Sequence, residues 1–519
     1  MPEVRSHRAL ECIENGAMQL TPENKYPERR DMHRAVSARS RGHSGRGWLA
    51  MACMLALSGC ASVPNDSSLP PTVIAALQKA EMTDAVLGVV AYPLTNPTRG
   101  LRLNPDLPQQ PASTMKVVTT VVALERLGTN ARGRTDLLAS EKPESGIIKG
   151  PLYLRGGADT DLDWGALWSL LRQLREQGAS DIQGGLVVDR NLFNPPRMDV
   201  GTTPFDESPE FQYNVIPDAV NLNTSLLGFV LQSDDTTVSV RTSPALPELV
   251  LDTGSFALND NTCAKWESTW VLPELQVSRG TPQLRFQGQF PRNCSQQLDL
   301  NLVDRQWVTT RVVRLIWSQL GGQMSGADVE GSTPAQAMVL ASHQGRPFAE
   351  VARSMMKRSD NPLTRLTYLR LGAKAAVDGE PTLDAAARSV REWFVAHGIP
   401  TEGLVMDNGS GLSRSERITA QQMAAVLTTA YQGPYAPELL SSLPVAGVDG
   451  TLSRRFKGTV VEGRARLKTG TLRNVVALAG YVRDQQERMW VVVALLNHDD
   501  ASKKGSPVLD KVVEWVAGQ

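Results

Sequence analysis

The chain has 519 residues, 54 basic against 54 acidic side chains, a formal net charge of zero and 41% hydrophobic residues. That is a globular composition with length for two or three domains, and its even charge leaves no basic footprint for nucleic acid. Its five cysteines and six histidines form no C-x-x-C and no H-E-x-x-H, so no metal or other cofactor is expected.

Residues 1–59 read as an N-terminal extension and a targeting signal. Arg34, Arg39, Arg41 and Arg46 precede an apolar run over 48–57, too short to span a bilayer and suited to a secretory h-region. The run ends in Leu57-Ser58-Gly59-Cys60-Ala61, which resembles a bacterial lipobox. The resemblance implies lipidation of Cys60, a mature chain that begins there, and anchoring to a membrane without spanning it. With Ala61 next, it also implies the outer membrane, hence a periplasmic protein. A plain signal peptide cleaved near Ala61 is the alternative. Glu3, Glu11, Glu14, Glu23, Glu28 and Asp31 are unlike a signal n-region, whereas Met32 opens an acid-free basic stretch. Translation is therefore expected to begin at Met32.

Export exposes the chain to oxidising conditions. Cys263 and Cys294, the two cysteines after Cys60, are then expected to pair and close a loop of about thirty residues; two unpaired thiols are the alternative. Residues 60–70 are polar and proline-bearing, a short tether. A helical pattern follows over 72–79, then strand-like runs over 85–92 and 100–103. The proline-rich 104–111 leads to Ser113 and to an apolar run over 117–124 with the residue types of a buried helix. Residues 135–306 change character, with short strands over 151–155 and 185–189, a helix over 167–176 between them, and alternation over 236–241 and 298–303. This part reads as a strand-rich insertion of one or two subdomains. Regular structure returns with helices over 309–320, 348–357, 383–397 and 420–432. Strand-like runs over 464–468, 475–483 and 489–497 follow, and a helix over 508–517 closes the chain. Residues 71–134 and 307–519 are thus expected to share one sheet backed by helices.

The chemistry starts at Ser113 and Lys116. Three residues apart on a helix, they lie on one face, where the amine can take the hydroxyl's proton. The pattern alone is weak, because Ser354-Met355-Met356-Lys357 repeats it. That copy runs straight into Ser359 within one local element and reads as a helix ending in Lys357 and Arg358, cations suited to a helix C-terminus. Two later motifs, Ser359-Asp360-Asn361 and Lys468-Thr469-Gly470-Thr471, complete the S-x-x-K, S-D-N, K-T-G set of penicillin-binding proteins and serine β-lactamases.

Three further stretches are Tyr153-Leu154-Arg155-Gly156-Gly157, Gly185-Leu186-Val187-Val188-Asp189 and Asp407-Asn408-Gly409-Ser410-Gly411-Leu412-Ser413-Arg414. With them the chain resembles, from about residue 70 to 517, the D-alanyl-D-alanine carboxypeptidase/endopeptidase branch of low-molecular-mass (class C) penicillin-binding proteins. That branch carries a large insertion between S-x-x-K and S-x-N, as this chain does between Ser113 and Ser359. The resemblance implies an α/β (α+β) fold, a β-lactamase/transpeptidase-like domain interrupted by a strand-rich insertion. It also implies peptidoglycan peptides as substrates and β-lactams as covalent inhibitors.

Roles follow from chemistry joined to that resemblance. Ser113 attacks the carbonyl between two D-alanines and becomes acylated. Lys116 is the general base, which requires a lowered pKa, and a nearby Lys468 would push it down. Ser359 relays a proton to the leaving amine; Asn361 holds the substrate peptide and orients Lys116. Lys468, Thr469 and Thr471 meet the substrate carboxylate, and Gly470 lets substrate lie against the strand. The N–H groups of Ser113 and Thr471 would form the oxyanion hole. The Asn-Gly-Ser-Gly stretch is a turn signal in its own right. The resemblance assigns Arg414, with Asp206 of the insertion, to a subsite for a peptidoglycan side chain, and places a second cation, Arg473, beside it. His343, His397 and His498 show no partner spacing and read as surface or helix-end residues. The rivals are a β-lactamase and a catalytically silent, lipid-anchored wall-binding protein.

Overall fold

The computed structural model describes residues 69–278 and 280–519. Met32, the apolar signal run, Cys60 and most of the tether lie outside them. Among the described residues no helix is long and apolar enough to cross a membrane.

Helix α1 (Pro71–Ala80) opens the fold, followed by strands β1 (Leu87–Pro93) and β2 (Leu101–Leu103) and helix α2 (Met115–Arg126). After the insertion come α3 (Phe348–Arg358), α4 (Asn361–Ala375), α5 (Thr382–Ala396), α6 (Ala420–Gln432) and the short α7 (Ala436–Ser442). Strands β3 (Ala465–Leu472), β4 (Val475–Arg483) and β5 (Met489–Asn497) and helix α8 (Ser506–Ala517) end the chain. The five strands form one antiparallel sheet in the order β3-β4-β5-β1-β2. The early and late segments of the described residues meet where Leu87 of β1 faces Leu496 of β5.

Helices cover both faces of this sheet, so its inner strands are apolar in every position rather than alternating. Val90, Tyr92, Ala477, Ala479, Val493 and Leu495 pack against α2 and α6. Their neighbours Val89, Ala91, Val476, Leu478, Ala494 and Leu496 pack against α1 and α8. Helix α2 is buried from Met115 through Leu124, at the centre of the first layer. Its polar members find partners there: the Thr120 hydroxyl donates to the Lys116 carbonyl at 2.7 Å.

The insertion carries a five-stranded sheet with Arg134–Ala139, Leu152–Gly157 and Leu186–Asp189 among its strands. It also carries three three-stranded sheets, Val250–Asn259/Thr281–Pro291/Trp270–Ser278, Ser295–Leu300/Leu227–Ser233/Val238–Ser243 and Gln323–Met324/Asp181–Ile182/Ile147–Ile148. Cys263 and Cys294 are joined as a disulfide with Cα atoms 5.3 Å apart. One hydrophobic cluster runs through all of this, from Leu154 and Leu170 to Phe229 and Phe286. The cluster corrects the expected boundary at residue 306. The helix Arg305–Gln319 packs Val312, Val313, Ile316 and Trp317 into it, and the strand Met338–Gln344 pairs with Arg134–Ala139. The insertion therefore extends to about residue 345, and the helix expected over 309–320 belongs to it. An amphipathic stripe reveals that a helix is half-buried, not which body buries it.

Candidate active site

Ser113 sits in a single 3-10 turn, Ala112–Thr114, that feeds directly into α2. The residue before it, Ala112, is fully buried with φ +46°, a left-handed conformation that costs a non-glycine residue on the order of 1 kcal/mol or more. Two neighbours hold it there. A Cβ on Gly411 would lie 1.8 Å from the Ala112 carbonyl oxygen, and one on Gly470 would lie 2.8 Å from the Pro111 oxygen and 3.0 Å from the Ser113 nitrogen. Glycine at both positions lets two backbones close on the nucleophile's turn.

Lys116, the second residue of α2 and one turn on from Ser113, is fully buried. Its Nζ lies 3.0 Å from Ser113 Oγ, 2.6 Å from Asn361 Oδ1 and 2.6 Å from the Ser410 carbonyl oxygen. Burial holds its pKa well below the usual lysine range and the Lys468 charge lowers it further, against smaller opposing effects of Asp360 and Glu416. The orientation of the Asn361 amide is fixed independently, because its Nδ2 donates to the Tyr213 carbonyl at 3.0 Å. The oxygen must then face Lys116.

Ser359 is the corner between two helices. It caps α3 in a left-handed conformation (φ +58°), Asp360 caps α4 by accepting the Leu363 N–H at 2.8 Å, and Asn361 and Pro362 are the first residues of α4. The expectation of a helix end was incomplete, since a second helix starts at once. Helix α4 escaped sequence reading because Asn361, Thr364, Arg365, Leu366, Tyr368 and Leu369 are all buried, leaving no apolar stripe.

Lys468 projects from β3, fully buried, and donates to Ser359 Oγ and to the Thr469 carbonyl, both at 2.8 Å. The Thr469 hydroxyl is 2.7 Å from that of Thr451, and Thr471 is exposed further along the strand. Two hydrogen-bonded groups result, Ser113–Lys116–Asn361 and Ser359–Lys468, drawn from α2, the α3–α4 corner and β3 and coupled through the effect of the Lys468 charge on Lys116.

The insertion supplies a wall. Besides the Tyr213 carbonyl on Asn361, the Asn214 and Val215 carbonyls accept from Arg365 at 2.7 and 3.0 Å. Arg414 reaches this wall at Phe205, next to Asp206 in the chain. Its Nη2 donates to the Phe205 carbonyl at 3.0 Å and its guanidinium lies over the Phe205 ring at 5.1 Å. The Asp206 carboxylate instead accepts from the Tyr213 hydroxyl (2.8 Å), Asn214 Nδ2 (2.6 Å) and the Ser208 N–H (3.0 Å). Three donors within Asp206's own loop hold its oxygens, and Arg414 meets the same loop through Phe205. Arg473 is exposed just past the end of β3.

The second S-x-x-K copy is not a site. Ser354 Oγ accepts from Arg346 at 3.0 Å, while Lys357 Nζ turns away to both Asp449 oxygens at 2.7 Å and to the Leu443 carbonyl at 2.6 Å. Helix α3 ends at Arg358 as expected, yet Lys357 ties it to the 443–449 loop rather than serving the helix end alone. His343 pairs with Asp159, His397 with the Trp393 carbonyl, and His498 with the Asp500 N–H, all outside the two hydrogen-bonded groups. Sequence reading missed Tyr213, Arg365, Thr451 and Glu416; none carries a motif, and each acts through backbone or single-partner contacts.

A D-alanyl-D-alanine carboxypeptidase of Actinomadura sp. (strain R39) is 30% identical over 387 residues, 72% of this chain and 70% of that one. The D-alanyl-D-alanine carboxypeptidase DacB of Haemophilus influenzae is 26% identical over 392 residues, 74% of this chain and 80% of that one. The crystal structure of penicillin binding protein 4 from Haemophilus influenzae shares the fold, with a TM-score of 0.71 at 22% identity, covering 86% of this chain and 99% of that one. The model of the D-Ala-D-Ala carboxypeptidase 3 (S13) family matches residues 71–518, and the chain belongs to that family.

Proposed function

We propose that the chain is a serine D,D-peptidase that removes the terminal D-alanine of peptidoglycan stem peptides, cuts the equivalent D,D-bond of cross-links, and is acylated by β-lactams. The observation that carries this reading is the placement of Lys116 between two acceptors that cannot donate. A neutral amine has two N–H bonds and one lone pair. The Asn361 and Ser410 oxygens, both at 2.6 Å, take the two N–H bonds, which leaves the lone pair for the Ser113 hydroxyl at 3.0 Å. Lowering of the Lys116 pKa by burial and by Lys468 supplies the neutral form.

Ser113 Oγ attacks the carbonyl carbon between the D-alanines and passes its proton to Lys116 Nζ. The developing oxyanion is met by the N–H groups of Ser113 and Thr471, worth roughly 10²–10³ in rate per donor. The C–N bond then breaks. The proton held on Lys116 passes by way of Ser359, hydrogen-bonded to Lys468, to the leaving amine; this leaves Lys116 neutral, Ser359 intact and an ester on Ser113. Water, deprotonated in turn by Lys116, hydrolyses the ester and restores the serine. Thr469, oriented by Thr451, and Thr471 receive the substrate carboxylate. In a β-lactam the same attack opens the ring, and the amine stays tethered to the acyl group.

The chain acts in the periplasm, tethered to the outer membrane by a lipid on Cys60; the lipobox-like sequence 57–61 supports this. Purified muropeptides test the activity. Free D-alanine from pentapeptide monomers and loss of cross-linked dimers are expected; binding of muropeptides with neither product contradicts the reading.

A further inference from the structure

One buried acid lies beside the catalytic groups and has no part in the steps above. Glu416 is fully buried, and its carboxylate is filled by backbone N–H groups. Oε1 accepts from Gly409 at 2.7 Å, Asn408 at 3.1 Å and Asp407 at 3.3 Å, and Oε2 accepts from Gly411 at 2.9 Å. A run of N–H groups curled round an anion is a nest, usually occupied by a ligand; here the chain's own side chain occupies it.

The turn so gathered, 407–411, touches the catalytic segment at three successive residues. The Gly409 carbonyl accepts from the Thr119 hydroxyl of α2 at 2.6 Å. The Ser410 carbonyl accepts from Lys116 at 2.6 Å. Gly411 backs onto the Ala112 carbonyl, next to Ser113. Gly409 and Gly411 have φ of +71° and +82°, so the turn is held in a conformation that only an outside restraint keeps single-valued. We propose that the ionised Glu416 carboxylate is a positioning residue for the acylation step: by holding turn 407–411 it fixes the Ser410 carbonyl, and through it the direction of the Lys116 lone pair towards Ser113. The proposal rests on the reading of Lys116 as base.

The electrostatics agree with this geometry. The charged and titratable groups that face Glu416 are Asp407 on its own turn, Lys116 on α2, and Arg365 and Tyr368 on α4. Burial pushes the Glu416 carboxyl up to about 7 and Asp407 adds to this, while the N–H groups of the turn pull it down. The Glu416 charge in turn raises the Lys116 pKa. Two effects therefore act in the acid limb of the rate: protonating Glu416 loosens the turn, and the Glu416 anion delays deprotonation of Lys116.

The test is Glu416→Gln in the full mature chain, measured with a fluorescent penicillin. In the variant an amide NH2 meets at least one N–H of the turn, donor against donor. With a cooperative thermal melt retained, the acylation rate constant is expected to fall at least tenfold while the affinity of the preceding non-covalent complex changes little. The acid limb is expected to move to lower pH, because the variant has no carboxyl to protonate and Lys116 loses a neighbouring anion. A wild-type acylation rate constant, or a fall with the limb unmoved, overturns the proposal; the second result would mean that Glu416 only holds structure. If Glu416→Gln does not fold, Asp407→Asn takes its place. Removing that anion eases ionisation of Glu416, so the limb again moves to lower pH, and an unmoved limb overturns the proposal. Failure of Ser113→Ala to abolish labelling would instead remove the underlying assignment of the nucleophile, so the two failures are distinguishable.

Discussion

Lys116 and Lys468 are two buried amines close enough to feel each other, and a charge on either disfavours a charge on the other. Burial and the neighbouring Lys468 charge both favour the neutral amine at Lys116. Replacing Lys468 by glutamine is expected to slow acylation by roughly 10²-fold, the range of a lost acid–base partner. It is also expected to move the acid limb of the rate to higher pH. The sign follows from the loss of a neighbouring cation: the Lys116 pKa rises, so its neutral form is reached only at higher pH. Stopped-flow acylation across pH checks both, and a limb that stays in place would detach Lys468 from the base. These residues were legible in the sequence because the chemistry sets their spacing within each motif. Glu416 was not, since a lone glutamate after a turn carries no pattern, and its partners are backbone N–H groups. The donors that hold the Asp206 carboxylate, Tyr213, Asn214 and Ser208, were not legible either, because they depend on how that loop folds on itself.

Elements bring these residues together by close backbone approach. Strand β3 runs against the turn that carries Ser113, and the would-be Cβ of Gly470 falls on backbone atoms that cannot swing aside. Gly470→Ala is therefore expected to push β3 away from the turn and to cost about 10²-fold in acylation, the scale of a 1 Å misplacement. A cooperative melt should persist, because Leu467 and the β3–β4 pairing lie outside the contact. Acylation kinetics beside a thermal melt decide it; a wild-type rate would mean that the strand is not held where the structure places it. The strands of the sheet were legible as long apolar runs, which is how a sheet covered on both faces reads. Helix α4 was not, although it carries Asn361, because burial on every side erases the periodicity that marks a helix. Its start was signalled only by Asp360 and Pro362, the cap and second residue.

At the scale of the molecule, the insertion is a body with its own core that lends the cleft one wall, through Phe205 and residues 213–215. Its presence was legible from the change to short strands after residue 134. Its end was not, because the helix Arg305–Gln319 looks alike whichever core receives it. The Cys263–Cys294 bridge closes a loop spanning 31 positions in the outer part of this body. Changing both cysteines to serine is expected to cost about 2–4 kcal/mol of stability, measured by denaturant unfolding, while the acylation rate at 25 °C stays near wild type. A large loss of rate without loss of stability would tie the outer sheets to the chemistry. The chemistry as a whole turns on one bond, the ester between Ser113 Oγ and the acyl group. Intact-protein and peptide mass spectrometry after exposure to penicillin tests it. One adduct on the peptide containing Ser113, absent from a folded Ser113→Ala variant, is expected; no adduct, or one that survives in Ser113→Ala, contradicts it.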